Sequence, residues 1–165
     1  MSERDQNRID LEHDLILTYF DLRFGPKIIL GSIKNTGSQT LSEIEITRLM
    51  DIHESGDFFI HYYKNNFIAN YLFSVADSTE PRGHVNRFMT SLVFHRDPEL
   101  TDEEWFHLVF KNVEQIEKSI KEISKNIHKN PLIMHLIKAD PNNRAKNVFV
   151  AEKETELLDE LKSYL

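Results

Sequence analysis

The chain has 165 residues, 40% of them apolar and 28% charged, a length and balance that suit one soluble globular domain. It contains no cysteine, which rules out disulfides, thiolate metal sites and cysteine nucleophiles. A formal net charge of −7 makes a phosphate backbone or an anionic membrane surface an unfavourable partner, and no apolar run is long enough to span a bilayer.

The opening MSERDQNRIDLEHD is polar and charged, so no signal peptide is expected. Residues 1–13 read as a polar lead-in to a single domain over 14–165. Two apolar runs follow, Leu15–Phe20 and Lys27–Ile33, joined by a compact turn over Asp21–Pro26. This is a β-hairpin pattern: Gly25 can take positive φ, and Pro26 lacks an N–H, so the pair sets where the second strand begins. Lys34–Thr40 is loop by composition. Ser42 and Glu45 have capping-box spacing and start a helix expected to run to Glu54, with Gly56 as its stop.

A second hairpin is expected from Phe58–Tyr63 and Phe67–Val75 around Lys64-Asn65-Asn66, since Asn tolerates the left-handed region that short hairpin turns need. A polar loop, Ala76–Asn86, leads to a fifth strand over Arg87–His95. Strands one, four and five are apolar on both alternating faces, which calls for helices on both sides of the sheet. Thr101 and Glu104 repeat the capping-box spacing before one long helix to His128. Its stripe is Trp105, Val109, Val113, Ile116, Ile120, Ile123 and Ile127. Pro131 ends that helix. Leu132–Ile137 is a short buried element, Asp140–Lys146 a polar turn, and Glu152–Leu165 a last helix. The order is β-β-α-β-β-β-α, then C-terminal helical elements: an α+β chain.

The hairpin with Phe24-Gly25-Pro26-Lys27 at its turn, the order of elements, and the run RFMTSLVF leading into TDEEWF resemble a longin-type domain over roughly Asp14–Asn130. The GPKI turn is most similar to the opening of the longin domains of nitrogen-permease-regulator-like proteins. Related longin domains open SNAREs, adaptor subunits and GTPase exchange-factor complexes. The resemblance implies a longin/profilin-like five-stranded antiparallel sheet, with one helix on one face and one or two on the other. It also implies a non-enzymatic interaction platform in intracellular membrane organisation or trafficking. Such a platform dimerises with a longin- or roadblock-type domain and serves small GTPases. The expected location is the cytoplasm, peripheral to membranes through partners. A profilin-like cytoskeletal or ligand-sensing domain is the alternative.

No nucleotide-cradling glycine loop or nucleophile elbow is present, so the chain is not expected to be an enzyme or to hold a cofactor. The eight histidines contain no compact ligand pair, and no metal is expected. His61 and His95, on two expected strands, are the pair that could approach each other. Asp102, Glu103 and Glu104 are explained by the dipole of the helix they open. In the nitrogen-permease-regulator-like proteins an arginine in the region of Glu80–His84 is implicated in stimulating GTP hydrolysis. Arg82 or Arg87 is the candidate counterpart, to neutralise charge on a transferring phosphoryl group. A solvated turn arginine is the plainer reading. A small enzyme site built on Arg82 and His84 is the least supported. Phe58, Phe59, Tyr62 and Tyr63 crowd an expected edge strand, which is a template for a second chain. The candidate partner-binding residues are therefore Phe59, His61, Tyr63, Arg82 and Arg87.

Overall fold

The computed structural model describes residues 11–22, 25–31, 42–76, 85–129 and 155–163. Five strands form one sheet: β1 (His13–Asp21), β2 (Gly25–Leu30), β3 (Phe58–Tyr63), β4 (Asn66–Ala76) and β5 (Val85–Phe94). Their order is β2-β1-β5-β4-β3, with every neighbouring pair antiparallel. The helices are α1 (Glu43–Thr47), which runs into a 3-10 turn (Arg48–Asp51), α2 (Asp102–Lys111), α3 (Val113–Lys129) and α4 (residues 155–162). The chain is thus α+β, with helices on both faces of a five-stranded antiparallel sheet.

The side-chain alternation of the central strands divides the core in two. On one face Leu15, Leu17, Phe67, Leu92 and Phe94 pack beneath Trp105, Val109, Ile116, Ile120 and Ile123, and α4 adds Leu157 and Leu161. On the other, Ile16, Ile68, Leu72, Met89 and Val93 pack beneath Ile46, Leu49 and Met50 of α1 and the 3-10 turn. Double-sided burial explains why β1, β4 and β5 carry apolar residues at consecutive positions.

Three expected elements depart from their expected course by more than two residues. The first helix keeps its capping box, with Ser42 Oγ accepting from Glu45 N and Glu45 Oε2 accepting from Ser42 N. It then tightens at Arg48 instead of continuing to Glu54. Ile44, Ile46 and Thr47 are β-branched, and Thr47 Oγ1 donates to Ile44 O at 3.1 Å, competing with the helical ladder. Gly56 (φ +94°) does not cap this helix; its N–H donates to Leu72 O of β4 at 2.6 Å.

The long helix expected up to His128 is two helices. Asn112 holds φ −98° and ψ 6°, and its N–H reaches back to Val109 O at 3.1 Å. Its side-chain amide donates to Leu108 O at 2.8 Å, which occupies the carbonyl that would continue the ladder. The apolar stripe still crosses the break, since Val109 and Ile116 are both fully buried. The second strand ends at Leu30 rather than Ile33, because Gly31 turns the chain at φ +79°. The expected elements at Leu132–Ile137 and Asp140–Lys146 lie outside the described residues.

Candidate functional site

The second hairpin and the start of α1 are joined by a network of side-chain contacts. The hairpin loop is the two residues Lys64 and Asn65, both left-handed (φ 50° and 62°), with Asn66 already in β4. That is the backbone of a type I′ turn, whose twist suits antiparallel strands. Lysine is unusual in this conformation, and its side chain is held: Nζ lies 3.0 Å from Glu45 Oε1 at the start of α1. Tyr63 Oη donates to the same oxygen at 3.0 Å. Glu45 therefore ties together the cap of α1, the end of β3 and the turn. The Ser42 N–H first, then the Lys64 ammonium, hold its carboxyl well below the ordinary carboxylate range, at about 2. The same contact raises Lys64.

Alternation puts Phe59, His61 and Tyr63 on one face of β3, the face that α1 covers. His53 stacks on Phe59 with ring centroids 3.4 Å apart, His61 is half-buried, and Tyr63 is 40% exposed. Tyr62, on the opposite face, is also 40% exposed and packs its ring 4.9 Å from both Phe67 and Phe106. Three of the predicted partner-binding residues thus share one strip of an edge strand.

The other two are Arg82 and Arg87. Arg82 lies outside the described residues, as does the rest of Glu80–His84. Arg87 lies opposite Ser74 while Tyr63 lies opposite Asn66, so eight residues of β4 separate the two levels, roughly 26 Å at the usual rise of a strand. Its guanidinium donates to Met50 O at 3.4 Å and lies 5.4 Å over the Phe20 ring, closing the second core. To reach a partner's nucleotide it would have to leave both contacts. His61 and His95 do not meet either: His95 Nε2 lies 2.7 Å from Asp14 Oδ2, joining the ends of β5 and β1. Among the described residues no group of His, Asp and Glu is arranged to hold a metal ion, and no helix is long and apolar enough to cross a membrane.

No protein-family model matches the chain, and no curated protein matches it. Its chemistry is therefore read from the surface itself. Sequence reasoning found the aromatic strip but missed Glu45 and Lys64 as its organisers. The signal was available in part: Glu45 was identified as a capping residue, and a capping carboxylate has a second oxygen free for another donor.

Proposed function

We propose that the chain is a non-enzymatic longin-type interaction module that self-associates or pairs with a related domain through β3 and binds a small GTPase in intracellular membrane organisation or trafficking. The observation that carries this reading is the contrast between the two edges of the sheet. The β2 edge contains Pro26, which has no N–H to offer, and a register shift opposite Leu17 and Thr18. The β3 edge has no proline and no shift, and it presents Tyr62 and Tyr63, each 40% exposed. An incoming strand can continue the ladder there and cover these rings. The sheet order and the longin-like opening hairpin support the same reading.

Light scattering across a concentration series tests the association, and binding to a panel of purified small GTPases, each in both nucleotide states, tests the partner class. Self-association weakened by Tyr63→Glu, with thermal stability retained, is the expected result. A chain that stays monomeric at every concentration and binds no GTPase in either state overturns the proposal.

A further inference from the structure

β3 is the last strand of the sheet beyond β4, so half of its backbone groups face away from the ladder. One bond shows which half. Leu72 N–H donates to Asp57 O at 3.1 Å, which makes Asp57 and Leu72 a bonded pair. Bonded pairs recur at every second residue of an antiparallel ladder, so Phe59–Asn70, His61–Ile68 and Tyr63–Asn66 are bonded as well. Phe58, Ile60 and Tyr62 therefore turn their N–H and C=O groups outward. Among the described residues no backbone hydrogen bond from beyond the ladder reaches any of them.

This outward row is self-complementary. Two antiparallel copies of β3 with Ile60 opposite Ile60 also match Phe58 to Tyr62 and Tyr62 to Phe58, and every outward group finds a partner. A slip of one residue sets outward groups against groups already bonded to β4. A slip of two leaves Phe58 or Tyr62 unmatched.

The side chains favour the same alignment. Phe58 and Ile60 are partly buried against the larger core, whereas Tyr62 on the same face is 40% exposed. The alignment lays Phe58 of one copy beside that ring of the other, a cross-strand aromatic pair made twice. At the ends of the strand stand opposite charges, Asp57 before it and Lys64 after it, with side chains 49% and 37% exposed. Antiparallel pairing brings the carboxylate end of each copy to the ammonium end of the other.

We propose that β3 pairs antiparallel with β3 of a second copy of this chain, centred on Ile60, so that two sheets join into one. The inference rests on the reading of β3 as the pairing edge and adds the partner and the register.

Amide exchange in the unaltered chain tests it. Where light scattering finds about nine chains in ten paired, the N–H groups of Phe58, Ile60 and Tyr62 should exchange about tenfold more slowly than in dilute protein. Those of Phe59 and His61, bonded to β4 in either state, should not change. The chain has no cysteine, so an introduced thiol is unique. Ile60→Cys puts two Cα atoms about 5.5 Å apart across the axis, within the span a disulfide bridges. A cysteine at Phe58 or Tyr62 lies four strand residues from its copy, roughly 14 Å, and cannot link. Ile60→Cys alone of the three should give a disulfide-linked dimer on mild oxidation. The exchange measurement decides the matter even where that variant does not fold. If the chain associates and the three amides exchange as fast as in dilute protein, the copies meet elsewhere and this pairing is wrong. If Phe58→Cys or Tyr62→Cys links instead, the register is wrong. A chain that stays monomeric overturns the pairing outright, whereas the interaction-module reading falls with it only if no GTPase binds either.

Discussion

Gly31 and Gly25 provide a matched pair for testing how tightly the first hairpin is built. Both hold φ +79°, so alanine at either position incurs the same left-handed cost, about 1–2 kcal/mol. Their surroundings differ. A Cβ at Gly25 meets nothing within 4 Å, whereas one at Gly31 lies 2.0 Å from the Leu15 carbonyl oxygen and 3.3 Å from Ile16 Cα. The obstruction is backbone, and it must retreat beyond 3.0 Å for any Cβ to fit. β1 is poorly placed to retreat, because Leu15 and Ile16 pair with Leu92 and Ser91 of β5 and are 2% and 0% exposed. Forcing a packed core to shift adds about 2–3 kcal/mol. Gly31→Ala should therefore cost about 4 kcal/mol and Gly25→Ala about 1.5 kcal/mol, which lowers the melting temperature by about 12 °C and about 4 °C respectively. Urea unfolding followed by Trp105 fluorescence measures both, since this sole tryptophan is buried in the larger core. If the two variants lose the same stability to within about 0.5 kcal/mol, the contact with β1 imposes no constraint and the reasoning is wrong.

Thr18 is fully buried with Oγ1 lacking a hydrogen-bond partner among the described residues, so Thr18→Val should be neutral or stabilising by up to about 1 kcal/mol in the same urea assay; a clear loss would reveal a hydrogen bond there. Phe67 is 1% exposed and its ring meets Tyr62, Trp105, Phe106 and Phe110, so Phe67→Ala should cost about 3–5 kcal/mol; a loss under about 1 kcal/mol would mean the cluster closes over the gap. NMR titration of the Glu45 carboxyl should give a midpoint of about 2, with Lys64→Met moving it part of the way back to 4.5. Because this pKa is lowered in the folded state, its contribution to stability is present above pH 4.5 and lost as pH falls towards 2. A midpoint near 4.5 in the unaltered chain would dissolve the Glu45 junction.

The sheet was legible because its signals are local or strictly periodic. Gly25-Pro26, the capping boxes at Ser42 and Thr101, and the apolar strands β1, β4 and β5 each act within a few residues, and each reappears in the structure. What escaped depends on geometry that no pattern encodes. Asn112 interrupts the long helix without breaking its apolar stripe, because Val109 and Ile116 keep the same face across the kink. The Asp14–His95 contact joins residues 81 apart in the chain. That the indole N–H of Trp105 has no hydrogen-bond partner among the described residues is equally silent in the sequence, where a tryptophan in an apolar stripe reads only as core. In the sequence Arg87 reads as a candidate to neutralise charge on a partner's phosphoryl group. The structure places it on the α1 face, against Phe20 and the carbonyl of Met50.

The aromatic crowding of β3 has a physical consequence for any strand that would pair with this edge. Phe58 and Ile60 lean into the larger core while Phe59 leans into the smaller one, so the first half of the strand is anchored on both faces. The second half is more open: Tyr62 and Tyr63 keep their contacts to Phe67, Phe106 and Glu45 but are each 40% exposed, and the fixed charges of Lys64 and Glu45 stand beside them. A strand added along this edge would gain main-chain hydrogen bonds at alternate residues of β3. It meets distinctive chemistry only near the turn, where two phenols and an ion pair must be matched. Affinity then comes from the ladder and register from the turn end, because a slip of one residue would put the partner's side chains on the wrong face. Neutralising Glu45 should accordingly disturb the choice of partner more than the stability of the fold. Tyr63→Phe, which keeps the ring and removes the hydroxyl bound to Glu45, should separate the two effects when self-association and melting temperature are measured side by side.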